Sequence, residues 1–186
     1  MQSIEELYKV FLEGAGVSTD SRKLSPDSIF FALKGDNFNG NHYAGDALEK
    51  GAALAVVDEE AYVRNDKCLL ADDALKVLQK LASYHRKKLN IPVIGLTGSN
   101  GKTTTKELIH KVLSEKYITH ATPGNLNNHI GVPLSILGIG KETEIAVIEM
   151  GANHRGEIAQ LCEIARPTEG LITNIGKAHL EGFGSF

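Results

Sequence analysis

Thr97-Gly98-Ser99-Asn100-Gly101-Lys102-Thr103-Thr104 directly follows a short apolar run, Val93-Ile94-Gly95-Leu96, and opens an amphipathic stretch. A glycine-rich turn between a buried strand and a helix is the setting in which Gly-Lys-Thr cradles phosphate. Gly98 and Gly101 let backbone N–H groups turn inward with no Cβ in the way. The helix start adds unpaired amides and the positive end of its dipole. In such a loop Lys102 bridges the terminal phosphates and the Thr103 hydroxyl ligates Mg²⁺. The full eight-residue phosphate-loop pattern is not met, because Leu96 stands where its first glycine belongs. The shorter Gly-x-x-Gly-Lys-Thr still defines a nucleotide site over Gly98, Ser99, Asn100, Gly101, Lys102, Thr103 and Thr104.

Outward from this loop the pattern alternates. A helix is expected from Thr103 to about Glu115, with Leu108, Ile109, Val112 and Leu113 as its apolar positions. Ile145 to Ile148 reads as a strand, and the next helix turns Ile158, Leu161, Cys162 and Ala165 inward before stopping ahead of Pro167. A last strand, Leu171 and Ile172, leads into Thr173 and Asn174. Strands alternating with helices imply right-handed βαβ units and a parallel sheet. Upstream, Ile29 to Leu33, Leu54 to Val57 and Cys68 to Leu70 read as strands, with a helix over Ala47 to Ala53. From Asp73 the stripe Leu75, Leu78, Leu81, Ala82 and Leu89 marks a helix. Arg86, Lys87 and Lys88 load its last turn with positive charge, and Asn90 with Pro92 ends it. The fold class is α/β: a small mixed α/β domain over residues 1–88, then the start of a P-loop parallel-sheet domain over 89–186.

Composition narrows the function classes. Among 186 residues, 20 Lys+Arg stand against 23 Asp+Glu, a formal charge of −3. That balance offers no broad footprint for nucleic acid or for an anionic membrane. A hydrophobic fraction of 42% with 23% charged residues suits a packed globular core. No apolar run reaches the ~18 residues of a membrane span, and the start, with Glu5 and Glu6, is unlike a secretory signal. Cys68 and Cys162 fit neither a disulfide framework nor a zinc spacing. A reducing cytoplasm is expected, with both thiols buried as small hydrophobes.

Three further clusters carry a resemblance. They are Thr122-Pro123-Gly124-Asn125-Leu126-Asn127-Asn128-His129-Ile130-Gly131-Val132-Pro133, then Glu149-Met150-Gly151-Ala152-Asn153, then Thr173-Asn174-Ile175-Gly176-Lys177-Ala178-His179-Leu180-Glu181-Gly182-Phe183-Gly184. With the Thr97–Thr104 loop they resemble the Mur ligase family of ATP-dependent peptidoglycan-precursor ligases. The combination is most similar to the member that adds D-Ala-D-Ala to UDP-N-acetylmuramoyl-tripeptide. Ser18-Thr19-Asp20-Ser21-Arg22 and Phe30-Phe31-Ala32-Leu33-Lys34-Gly35 resemble the family's uridine-nucleotide-binding front domain. Asp36 to His42 resembles a further loop of that domain, interrupted by Asn41.

The resemblance implies ATP and Mg²⁺ as cofactors, and UDP-MurNAc-tripeptide and D-Ala-D-Ala as small-molecule partners of a cytoplasmic monomer. It implies neither nucleic-acid binding nor membrane insertion. Lys102, Glu149 and His179 are the expected catalytic group, with Thr103, Glu149 and His179 around the metal. Asn174 is expected to point its amide at the nucleotide or at metal-bound water. Ser18, Asp20, Ser21, Arg22 and Lys34, with Asn125, Asn127 and Asn128, are the expected substrate contacts. Arg22 is the natural diphosphate clamp. ATP would convert the peptide carboxylate to an acyl phosphate, which the amine then attacks. Measured against the family's three domains, the sequence is expected to stop inside the second, to lack the third, and to be inactive alone. Two rival readings remain: a sibling ligase that adds one amino acid, and a non-catalytic P-loop module. A folate-polyglutamate ligase fits less well, because it has no uridine-binding front domain.

Overall fold

The computed structural model describes residues 3–176. Packing divides the chain into two units, the first ending at Tyr84 and the second beginning at His85. The division falls four residues before the expected boundary, inside a helix rather than after it.

The first unit opens with α1 (Ile4–Glu13), whose start is set by a reciprocal capping box. The Ser3 hydroxyl accepts from the Glu6 N–H, and the Glu6 carboxylate accepts from the Ser3 N–H. Strands β1 (Val17–Ser18) and β2 (Ile29–Phe31) follow, then a small antiparallel pair, β3 (Lys34–Gly35) with β4 (Phe38–Asn39). Next come α2 (Ala44–Glu49), β5 (Leu54–Val57), β6 (Cys68–Leu70) and α3 (Ala74–Lys88). The sheet order is β1-β2-β5-β6, and every pair is parallel. Parallel strands are covered on both faces, so β2 and β5 are apolar at every position rather than alternating, and all are buried. Ala44, Ala47, Ala52 and Ala55 pack around Phe30 and Val57, and the small side chains bring α2 close to the sheet. The helix expected over Ala47 to Ala53 lies three residues earlier, because Lys50 and Gly51 already form its closing turn.

The second unit runs β7 (Val93–Thr97), α4 (Lys102–Ser114), β8 (Thr119–Ala121), α5 (Gly131–Leu137), β9 (Ile145–Glu149), α6 (Glu157–Ala165) and β10 (Glu169–Ile172). Its sheet is also parallel, in the order β10-β7-β9-β8. The register pairs Leu96 with Glu149 and Thr97 with Ile172, so the carboxyl ends of the three adjacent strands β10, β7 and β9 lie level. In open α/β sheets this edge is where ligands bind.

Several local readings change. The helix α5 had no counterpart in the sequence reading, which assigned no element to Gly131–Leu137; Pro133 fits since it falls in the first turn, where its missing N–H costs nothing. On α4, Leu108 and Val112 are 63% and 70% exposed, not inward, and Lys106 is the fully buried residue. Cys68 and Cys162 are only half-buried. Leu89 lies beyond the end of α3.

Arg86, in the positively charged last turn of α3, is buried. Its Nε donates to Ala165 O at 2.9 Å, one terminal nitrogen to Leu89 O at 3.0 Å, and the other to Arg166 O at 3.1 Å and Ile91 O at 3.4 Å. The guanidinium thus satisfies carbonyls at the end of α6, where Arg166 adopts a left-handed φ of 42°. Arg86→Ala is expected to cost about 3 kcal/mol in urea unfolding, since buried carbonyls lose charged donors. Lys87→Ala, at an exposed position, is expected to stay within about 0.5 kcal/mol.

Candidate functional site

The loop after β7 needs its glycines. Gly98 has φ +140°, and a Cβ there would overlap the Thr173 hydroxyl; Gly101 has φ +78° and begins α4 with no side-chain cap. The first-turn amides of α4 therefore face outward without a capping side chain. Lys102 curls back over the loop, its Nζ donating to Gly98 O at 2.8 Å.

The segment after β10 braces this loop. Ser99 N–H donates to Asn174 O at 3.0 Å, and Asn100 N–H donates to Asn174 Oδ1 at 3.1 Å. Asn174 Nδ2 returns a bond to Asn100 O at 3.1 Å, while Thr173 Oγ1 donates to the same carbonyl at 2.6 Å. Ser99 Oγ accepts from Gly176 N–H and donates to Gly176 O. Asn174 thus spends its amide on the loop's own backbone. Expected at the nucleotide or metal-bound water, it acts in this structure as a brace.

The β9 end supplies Glu149, 1% exposed. Its Oε1 accepts from Asn127 Nδ2 at 2.8 Å and from Thr103 Oγ1 at 3.3 Å; its N–H donates to Thr122 Oγ1 at 2.9 Å. Oε2 has no hydrogen-bond partner among the described residues. A buried carboxylate oxygen left unpaired is costly unless a cation or donor arrives. Together with the Thr103 hydroxyl it offers the hard oxygen ligands that Mg²⁺ takes. The expected pair Thr103 and Glu149 is therefore brought together. His179, the third expected ligand, lies outside the described residues.

The three asparagines separate in role. Asn127 reaches Glu149, and Gly151 N–H donates to Asn127 O at 2.8 Å. Asn128 Oδ1 accepts from the N–H groups of Ile130 and Gly131 ahead of α5, a local capping turn. Asn125 is exposed, with its carbonyl accepting from Asn127 N–H. Sequence reading did not single out Lys106, whose Nζ lies 2.8 Å from Thr122 O, 3.0 Å from Gly124 O and 2.9 Å from the Glu107 carboxylate. The available signal was helical phase: once Thr103 faces β9, Lys106 follows it on the same face.

In the first unit, Thr19, Asp20, Ser21, Arg22, Phe30, Phe38 and Tyr43 line a cavity of about 430 Å³. A neighbouring one of about 420 Å³ is lined by residues including Lys34, Asn39 and His42, and shares Phe38 and Tyr43. Those two rings are stacked, 5.5 Å apart at 11°, and both are exposed. Neither aromatic was anticipated; their spacing across an Asn-rich turn carries no periodic signal. Ser18 Oγ donates to Asp20 O and accepts from Asp20 N–H, so it shapes the loop. Ser21 is buried, and its carbonyl accepts from Lys50 Nζ at 3.0 Å. Lys34 Nζ lies 3.1 Å from Asp58 and 3.4 Å from Glu59. Asn41, which interrupts the expected loop, is fully buried: its Nδ2 donates to Asp58 Oδ1 and its Oδ1 accepts from Asp58 N–H. Arg22 is 84% exposed yet forked onto Asp20, with Nε and one terminal nitrogen each 2.9 Å from a carboxylate oxygen.

Comparison with known proteins identifies the family. Residues 14–96 match the catalytic domain of the Mur ligase family, and residues 96–186 match the Mur ligase middle domain. The chain belongs to the Mur ligase family. It is 46% identical over 172 residues to a UDP-N-acetylmuramoyl-tripeptide–D-alanyl-D-alanine ligase of Bacillus subtilis, covering 91% of this chain and 38% of that protein. The Escherichia coli ligase of the same name is 43% identical, over 100% of this chain and 42% of the relative. A crystal structure of MurF from Acinetobacter baumannii superposes with a TM-score of 0.85 at 35% identity, covering 98% of this chain and 43% of that one. A MurF ligase from Thermotoga maritima in complex with ADP gives a TM-score of 0.82 at 36% identity, covering 97% and 40%. The chain thus spans about two fifths of the length of the curated relatives it matches. Among the described residues no helix is long and apolar enough to cross a membrane.

The Asp20–Arg22 fork predicts a titration. Hydrogen bonds from the Arg22 side chain, then from its backbone N–H, hold the Asp20 carboxyl down to about 2, from an ordinary 3.8. A carboxyl depressed in the folded state stabilises fully above its ordinary value and loses that contribution as pH falls towards 2. Carboxyl NMR on the chain is expected to show Asp20 titrating near 2, and Arg22→Ala to raise it part of the way towards the ordinary value, since the backbone N–H of residue 22 still donates to Asp20. An Asp20 midpoint that ignores the substitution refutes the fork.

Proposed function

We propose that the chain forms the uridine-nucleotide and ATP sites of an ATP-dependent ligase that joins D-Ala-D-Ala to UDP-MurNAc-tripeptide. The observation that carries this reading is the meeting of Thr103 and Asn127 on Glu149 at a phosphate-loop edge, in a chain 46% identical to a ligase of that name. The proposed setting is a cytoplasmic monomer acting on small molecules.

In this reading the Thr19–Arg22 cavity takes the uridine diphosphate end. Arg22 reaches the diphosphate by loosening its fork on Asp20, exchanging one bidentate anion for another. Lys34, held by Asp58 and Glu59, adds positive charge beside the second cavity. In the second unit the Gly98–Thr104 loop takes the ATP phosphates on the amides at the start of α4, and Lys102 leaves the Gly98 carbonyl to bridge the terminal ones. Thr103 and Glu149 would hold Mg²⁺, which when bound offsets charge on the transferring phosphoryl group.

The peptide carboxylate of the substrate is the nucleophile. Its oxygen attacks the γ-phosphorus, a C–O–P bond forms, and the bond to ADP breaks. The D-Ala-D-Ala amine then attacks the acyl carbon, and phosphate leaves as the amide forms. This chain's residues contribute by positioning and by neutralising charge rather than by supplying a nucleophile.

Calorimetry on the chain tests the reading. UDP-MurNAc-tripeptide is expected to bind, and Mg-ATP to bind at a separate site. Lys102→Ala is expected to weaken Mg-ATP binding by at least about tenfold, as loss of a charge-assisted phosphate contact does, and to leave uridine-substrate binding unchanged. Nucleotide binding without uridine binding would refute the ligase assignment, and wild-type affinity in Lys102→Ala would refute the role of Lys102.

A further inference from the structure

Lys106 is a lysine with no exposed surface, one helical turn along α4 from the phosphate loop. A residue that merely filled this space would be apolar, because burying an ammonium is expensive unless its donors are all engaged. Here three acceptors surround Nζ: Thr122 O at 2.8 Å, Gly124 O at 3.0 Å and Glu107 Oε1 at 2.9 Å. Two of them are carbonyls flanking Pro123, where the chain leaves β8 for the loop that ends at α5. Gly124 in that loop has φ +53° and nothing within 4 Å of a virtual Cβ, so its own packing does not fix it.

The same short segment carries two of the three side chains bonded to Glu149, Thr103 being the third. Thr122 Oγ1 accepts the Glu149 N–H, and Asn127 Nδ2 donates to Oε1. The connections close a ring: α4 through Thr103 to Glu149, through Asn127 back along the loop to Gly124, and through Lys106 to α4 again. We propose that Lys106 is a positioning residue, whose buried ammonium fixes the Thr122–Asn128 segment so that Glu149 presents its unpartnered oxygen beside Thr103. The inference rests on the functional reading above for the cation that this oxygen would meet. It adds that a lysine outside the loop itself governs how well the cation is held.

The test uses the chain with Lys106→Met, a near-isosteric side chain without donors, and Lys111→Met as an exposed control on the same helix. Hydrogen exchange read by mass spectrometry is expected to show residues 124–128 losing protection about tenfold, with β7 and β9 unchanged. Calorimetry with ADP, with and without Mg²⁺, is expected to show the Mg²⁺-dependent gain in affinity falling about tenfold, the usual effect of removing support behind a metal ligand. Mg²⁺-free ADP affinity is expected to stay within about twofold, a split that general loosening of the fold would not produce. Unchanged exchange in the loop overturns the proposal, as does an unchanged Mg²⁺-dependent gain. If Lys106→Met does not fold, Lys106→Gln, which keeps a polar side chain but loses the ammonium, decides: a reduced Mg²⁺-dependent gain with a loosened 124–128 loop supports the proposal, and an unchanged gain overturns it. If wild-type chain shows no Mg²⁺-dependent ADP binding, the functional reading fails, and loop exchange still decides what Lys106 holds.

Discussion

A carboxylate sealed at the end of β9 sets the terms for the second unit. Glu149 is 1% exposed, and only one of its oxygens is satisfied among the described residues. Keeping such a group in place requires donors delivered from elements far apart in sequence: Thr103 from α4, Asn127 from the loop before α5, and Thr122 as acceptor for the Glu149 N–H. The parallel order β10-β7-β9-β8 makes that delivery possible, because β7 and β9 end side by side. An antiparallel arrangement would send one of these ends to the opposite edge of the sheet. The topology and the half-satisfied carboxylate are therefore one constraint seen at two scales.

The phosphate loop answers to a related constraint. Its Ser99 and Asn100 amides are already bonded to Asn174, so they are spent on holding the loop's shape. The groups left for an anion are those at the start of α4, together with Lys102. That division of labour explains why Gly98 has to be glycine: Thr173 and Asn174 come so close that any side chain would displace the brace. A loop braced this way in advance would spend less ordering entropy on binding the nucleotide of the proposed function.

Most of the fold was legible because parallel strands announce themselves as unbroken apolar runs. Leu54–Val57 and Cys68–Leu70 fall where the pattern put them, and Val93 and Ile145 open their strands. What escaped was decided by tertiary context. Helix α5 hides behind Gly131 and Pro133, two residues whose local preference is for turns. On α4 the four apolar positions suggested an inward face, but the face is set by Thr103 having to meet Glu149. That requirement rotates Leu108 and Val112 outward and Lys106 inward. The candidate site was legible where a motif carries its own geometry, as with Gly98, Lys102, Thr103 and Glu149. It was not legible where function depends on two distant segments agreeing, as with Asn127 on Glu149 or the stacked Phe38 and Tyr43.

Both units share a further property: the cations expected to meet phosphate are already occupied by the protein. Arg22 is forked onto Asp20, Lys34 onto Asp58 and Glu59, and Lys102 rests on the Gly98 carbonyl. For Lys102 the partner is a neutral carbonyl, and for Arg22 a single carboxylate at a solvent-exposed side chain, each weaker for that cation than a phosphate group would be; Lys34, between two carboxylates, is held more firmly. A cation parked on a weak local partner is held near its working position without collapsing onto a stronger one. Under the proposed function a competing phosphate would release it at small net cost, because one charge-assisted bond would replace another. Lys106 differs in kind: with three acceptors and no exposed surface it has nothing to gain by moving. Within the second unit, burial therefore separates Lys102, whose one carbonyl partner a phosphate would replace under the proposed function, from Lys106, whose three acceptors hold it in place.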